Sequence, residues 1–286
     1  LNTSKINTTY SLSYTDPYFT VEGVSRGFDL FMREIDAASS GLGNYRTQTI
    51  GGGLRFGVPV TELDTINYGI GYEHTKIDTF VDSPLIYLDY VRAFGSKNDA
   101  ILGTVGWTRD SRDSVIYPTS GTQQKAHLEV GLPGGSLNYY KASYQYQRYF
   151  PISRDYTLML NGEIGFGDGL SGKPLPFFKN FYAGGTGSVR AFETATLGPR
   201  DLNEDILGGD RRFVANAEVL FPMPGYKEKN VRLGVFADVG NVWGPGQKIE
   251  PDDLRASAGL AVAWDSPMGP LRFSYAYPIK KDSSID

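Results

Sequence analysis

At 286 residues the chain is long for one compact soluble domain but suits an all-β barrel, which often runs past about 200 residues as a single unit. A net charge of −4 and a pI near 5.3 give no basic footprint for nucleic acid, and the absence of cysteine excludes a disulfide framework and any thiolate metal site. Apolar residues make up 40% but run for only about five at a stretch, against roughly 18 for a membrane helix, while 35 glycines, 19 tyrosines and 16 phenylalanines suit strands, tight turns and aromatic girdles.

Residues 2–15 alternate, with Ile6, Thr8, Tyr10, Leu12 and Tyr14 on one face and polar residues on the other, and read as a strand. Asp16-Pro17-Tyr18-Phe19 reads as a turn, because Pro fixes φ and Asp can accept from the following backbone. A second strand is expected over 24–35, followed by a polar loop at 38–43 and strands near 46–58 and 65–77, the last setting Ile66, Tyr68, Ile70 and Tyr72 on one face. A longer loop through Pro84 and Gly95 leads to strands at 98–109 and 121–132, joined through Tyr117-Pro118-Thr119-Ser120-Gly121. Strands at 138–150 and 156–167 precede the longest connector, 169–210, and four more are expected near 212–221, 231–243, 254–264 and 271–277.

Alternation is clearest late in the chain. Val231, Leu233, Val235, Ala237 and Val239 face one way, and Arg232, Gly234, Phe236, Asp238 and Gly240 the other. Strand 212–221 opposes Phe213, Ala215, Ala217, Val219 and Phe221 to Val214, Asn216, Glu218 and Leu220, and strand 156–167 sets Leu158, Leu160, Ile164 and Phe166 against Asn161 and Glu163. A soluble sandwich would alternate too, but three features favour an antiparallel transmembrane β-barrel. The strands run to about 10–13 residues, longer than the globular mean of about 5–6 and close to the 9–11 of a tilted membrane strand. Aromatic residues gather near strand ends, where an interfacial girdle would sit. Connectors after odd strands are mostly short and those after even strands mostly long, as periplasmic turns and surface loops are. If the first turn is periplasmic, the twelve strands begin and end on the outer side, so an odd number is expected to be missing from each end. Leu1 in place of Met, with no signal peptide, likewise suggests a mature or trimmed fragment.

The long connector holds Asn180-Phe-Tyr-Ala-Gly-Gly-Thr-Gly-Ser-Val-Arg190-Ala-Phe192, in which glycines and small polar residues surround one cation. Glu218 and Asp238 fall on the polar faces of consecutive strands. They are either solvated charges or the two carboxylates of a lumen lock that holds Arg190, with Phe236 and Phe192 packing beside its guanidinium. Other motifs are weaker. Gly185-Thr186-Gly187 begins like a nucleotide loop, but Arg190 replaces the third glycine and no βαβ unit follows. Asp201, Asn203 and Asp205 match early ligand positions of a calcium loop, yet Ile206 replaces its glycine and Arg212 its bidentate Glu. His74 and His127 lie in separate strands. No metal, cofactor or catalytic set can be named, so a non-enzymatic protein is expected.

Gly184-Gly185-x-x-Ser188-Val189-Arg190-Ala191-Phe192 resembles the loop-six V-R-G-F/Y motif of the BamA family of outer-membrane assembly factors, and Phe236-Ala-Asp238-Val-Gly240 resembles its partner strand motif. Asp16-Pro-Tyr-Phe, Tyr117-Pro-Thr-Ser-Gly, Leu197-Gly-Pro199, Phe221-Pro-Met-Pro224 and Ser266-Pro-Met-Gly-Pro-Leu271 are also similar to that family, so the resemblance covers nearly the whole chain. Ala191 departs from it, standing where the motif usually has Gly. If that position needs positive φ, alanine is strained there.

The resemblance implies a sixteen-stranded barrel preceded by periplasmic POTRA domains. Residues 1–286 would then be a partial barrel domain that lacks the terminal strands. It implies an integral outer-membrane protein of a Gram-negative bacterium that inserts and folds nascent β-barrel proteins, with accessory assembly lipoproteins and membrane lipid as partners. The lock would comprise Arg190, Phe192, Glu218, Phe236 and Asp238, with Gly184, Gly185, Ser188 and Val189 shaping the loop. The rivals are a sibling protein-translocation barrel and a passive porin or transporter.

Overall fold

The structure is a computed structural model that describes residues 2–3, 7–38, 44–225 and 230–281. One antiparallel sheet is laid down in strict chain order. Its strands are β1 (Asn2–Thr3), β2 (Asn7–Asp16), β3 (Ser25–Asp36), β4 (Tyr45–Pro59), β5 (Asp64–Thr79), β6 (Lys97–Asp110), β7 (Gly121–Leu132), β8 (Tyr139–Pro151), β9 (Thr157–Gly169), β10 (Arg211–Pro222), β11 (Val231–Trp243), β12 (Arg255–Ser266) and β13 (Gly269–Lys280). The described ladder runs from β1 to β13 with no pairing between its two edges. From β2 onward the strands have 10 to 16 residues, the length a tilted membrane crossing requires.

The burial pattern is that of a barrel in lipid. Leu12, Leu30, Ile50, Ile70, Val105, Ile164, Val235 and Leu260 are all exposed on the outward face. Inward positions, such as Phe236 and Asp238 on the same strand as Val235 and Val214 and Glu218 on its neighbour β10, are buried. Apolar side chains turned outward have no protein surface to cover them, so the strands are stable only where hydrocarbon replaces water. Among the described residues no helix is long and apolar enough to cross a membrane.

What fills the inside is the long connector, residues 170–210. One apolar cluster joins Tyr45 and Ile77 of the wall to Tyr87 and Tyr90 and to Phe177 of the connector, with Phe177 stacked on Tyr87 at 4.1 Å. A second joins Ala100, Leu102 and Tyr139 to Leu175. A third joins Val214 and Val242 to Ala183, Val189 and Leu197. The core is therefore made between wall and loop, not between two sheets. At the opposite end, residues 111–120 reach to other hairpins: Tyr117 donates its hydroxyl to Asn230 O at 2.5 Å and accepts from Asp265 N at 2.8 Å.

Two expectations about elements need correction. The expected first strand, 2–15, is two strands, with Asn2 opposite Thr9 and Thr3 opposite Thr8. Alternation runs through residues 2–15 without marking the change of direction. Ile6 lies outside the described residues, as does most of the polar loop expected at 38–43. The loop through Pro84 and Gly95 contains a helix, α1 (Leu85–Phe94). Tyr87, Tyr90, Val91 and Phe94 recur at helical spacing and pack on the first cluster, and Gly95 closes the helix at φ 86°.

Candidate functional site

The site is set by strand register. In the β10–β11 ladder Asn216 is opposite Asp238 and Glu218 is opposite Phe236, so the two carboxylates are diagonal neighbours on the inner face. Such neighbours lie about 7–8 Å apart, a gap that a guanidinium fork can bridge. Arg190 does so. Its Nε donates to Asp238 Oδ2 and its Nη2 to Asp238 Oδ1, each at 2.7 Å, while Nη1 donates to Glu218 Oε2 at 3.0 Å. The backbone N–H of Arg190 adds a fourth bond, to Asp238 Oδ2 at 3.1 Å.

Arg190 is 6% exposed, Glu218 1% and Asp238 2%, so these charges are largely removed from water. Burial works against the charge on Arg190, but its hydrogen bonds and charge contacts with Asp238, then Glu218, hold its pKa above the ordinary arginine value. Phe236 supplies the floor, with the guanidinium carbon 3.3 Å from its ring centroid. Room for this packing comes from missing side chains: a Cβ on Gly234 would collide with the Glu218 carboxylate, and one on Gly259 with the Phe236 ring.

The loop motif presents the arginine. Gly184 N–H donates to Ser188 Oγ at 2.7 Å, Gly185 N–H to Phe192 O at 3.0 Å and Ser188 N–H to Gly185 O at 3.1 Å, which closes a tight loop. Gly184 and Gly185 have φ of 112° and 88°, and Ala191 also lies in the left-handed region at 78°. Alanine there is strained. Val189, fully buried, packs on Val214 and Val242 and so pins the loop beside its carboxylates.

Of the nine residues expected at this site, eight form the lock and its presenting loop. Phe192 is placed differently: it packs against the cluster of Ala183, Val189, Leu197, Val214 and Val242, and the aromatic over the guanidinium is Phe236. The backbone at Ala191, folding into positive φ, turns the chain before Phe192.

Two participants were not anticipated. Arg272 of β13 donates Nη2 to Glu218 Oε2, the same oxygen that Arg190 uses, so the cluster balances two cations against two carboxylates. Asn216 donates Nδ2 to both Ser188 O at 2.7 Å and Asp238 Oδ1 at 2.9 Å. Its own Oδ1 accepts from Asn161, whose Oδ1 accepts from Gln145, each at 2.9 Å, so a row of amides runs along the wall to the lock. Asn161 and Asn216 were legible as inward polar residues, but their roles depended on register.

The weaker motifs dissolve into local structure. His74 faces outward with Nδ1 2.8 Å from Asp99 Oδ1, and His127 is on β7. Asp201 Oδ1 accepts from Asn203 N at 2.9 Å and Asp205 N at 2.8 Å, an Asx turn. Among the described residues no group of His, Cys, Asp or Glu could hold a metal ion.

Comparison with known proteins adds to this geometry. Residues 1–286 match the Omp85 superfamily domain. The chain is 42% identical to the outer membrane protein assembly factor BamA of Neisseria meningitidis, over 97% of this chain and 40% of that protein, so it spans about two fifths of its relative. The crystal structure of BamA from Haemophilus ducreyi lacking POTRA domains 1–3 superposes with a TM-score of 0.90 at 29% identity, covering 97% of this chain and 60% of the other. CdiB from Acinetobacter baumannii shares the fold alone, with a TM-score of 0.60 at 16% identity over 98% of this chain and 48% of the other.

Proposed function

The chain belongs to the Omp85 superfamily and is an integral β-barrel of the outer membrane; from that premise we propose that it is the barrel core of a machine that folds and inserts nascent β-barrel proteins. Unfolded strands of a client carry unpaired backbone N–H and C=O groups that cannot enter hydrocarbon alone. An assembly barrel offers those groups a sheet edge on which strands pair one after another before release into the bilayer. The work is templating and uses no catalytic side chains. Residues 1–286 supply the scaffold and the lumen lock of that machine, and accessory assembly lipoproteins act with it.

The observation that carries this reading over a pore is the buried bond set from Arg190 to Asp238 and Glu218. A porin constriction exposes its charges to passing solute. Here the charges are neutralised against one another and the connector occupies the lumen. The sibling reading is a protein-translocation barrel; the fold shared with CdiB at 16% identity does not favour it over assembly.

Depletion of the full-length protein is the test. It is expected to lower many unrelated outer-membrane barrels together. Normal barrel levels with loss of one secreted client would support the translocation reading, and normal barrel levels with altered solute uptake would support the pore.

A further inference from the structure

The long connector has a second cation placed much as Arg190 is, on a different part of the wall. Lys179 closes a short 3-10 turn, Phe177–Lys179, and sends its Nζ to within 3.3 Å of both Glu73 Oε2 of β5 and Glu129 Oε1 of β7. Glu73 is opposite Ala100, and Glu129 opposite Thr104, on the intervening β6, so both carboxylates stand on the inner face on either side of buried Leu102. The three side chains are only 17%, 17% and 21% exposed. Tyr139 donates its hydroxyl to Glu129 Oε1 at 2.5 Å and orients it. Lys141 of β8 donates to Lys179 O at 2.7 Å and lies 4.1 Å from the Phe181 ring centroid, so the backbone of the turn is held as well as its side chain.

We infer that Lys179 is a second anchor of the connector, independent of Arg190, and that the two together make residues 179–190 a tie across the lumen. One end is fixed to the β5–β8 wall and the other to β10–β11. The anchors share no side chain, so each can be released while the other holds. Charge logic sets their roles. Removing Lys179 strips Glu73 and Glu129 of the cation they share and takes away the charged contacts that hold that end of the loop to the wall. Arg190 keeps both of its carboxylates whether or not Lys179 is present. Both anchors belong to the geometry of the loop, whichever protein the barrel handles.

Backbone amide hydrogen exchange of the full-length protein in phospholipid vesicles tests it, because exchange reports each end of the loop separately. In Lys179→Met the segment 176–183 is expected to exchange about tenfold faster or more, the scale of losing a charged hydrogen bond, while 186–192 stays protected. Arg190→Met is expected to do the reverse. Lys179→Arg, which retains the charge, should restore protection at 176–183, and Glu73→Gln with Glu129→Gln should reproduce Lys179→Met. Unchanged exchange at 176–183 in Lys179→Met, or equal release of both segments, would overturn the proposal.

Discussion

Asn216 lies directly opposite Asp238 in the β10–β11 ladder and donates its side-chain amide to Asp238 Oδ1 across 2.9 Å. The same amide nitrogen reaches Ser188 O, so one residue of the wall aims the carboxylate and holds the loop that carries its arginine. Asn216→Ala is expected to cost about 1–3 kcal/mol, the range for leaving buried partners unsatisfied. Asn216→Asp should be worse than Asn216→Ala, since it sets a second carboxylate against Asp238. The order of the two variants in heat-dependent gel migration of the folded barrel checks this.

Arg190 and Asp238 act as one unit, and their variants should behave accordingly. Breaking a buried ion pair by removing one partner costs about 3–5 kcal/mol, because the other charge is stranded. Arg190→Ala and Asp238→Ala are each expected to lower barrel heat resistance and client assembly, and the double variant should be little worse than either. Strictly additive losses would mean that the pair is not coupled.

Ala191 offers the opposite result, a gain. With φ at 78° it occupies backbone space that glycine enters freely, at a cost of about 1–2 kcal/mol for an L-residue. Because glycine also gives the unfolded chain more freedom, the net benefit of Ala191→Gly should be about 1 kcal/mol or less. A rise in the temperature at which the barrel loses its compact gel mobility is the expected outcome.

Val235 tests which face meets lipid. It is 48% exposed on the outward side of β11, next to the buried Phe236. Val235→Arg should destabilise the barrel by about 2–4 kcal/mol if this position lies near mid-bilayer. A cysteine at Val235 should react slowly with a water-soluble maleimide in vesicles, and one at Lys125, on the inner face of β7, should react faster. Equal rates would contradict the face assignment.

Much of this protein was legible along the chain because a barrel strand is a local object. Period-two alternation in residues 231–243 separates Val235 from Phe236 and Asp238 with no knowledge of any neighbour, and β11 has those bounds in the structure. Helix α1 was also written locally, in the spacing of Tyr87, Tyr90, Val91 and Phe94 between Pro84 and Gly95. Ten residues between long alternating strands make that signal a short one.

Strand order, face and the identity of Arg190, Glu218 and Asp238 as lock residues were thus within reach of the residues themselves. Register was not. The pairing of Asn216 with Asp238, the arrival of Arg272 at Glu218 and the reach of Lys179 to Glu73 and Glu129 join positions up to 106 residues apart. Each contact depends on how far one strand slides against the next and on how the connector folds inside the barrel. Alternation states only which side of the sheet a residue faces. Closing space around a buried charge requires the whole wall, and only the folded barrel decides which partners meet there.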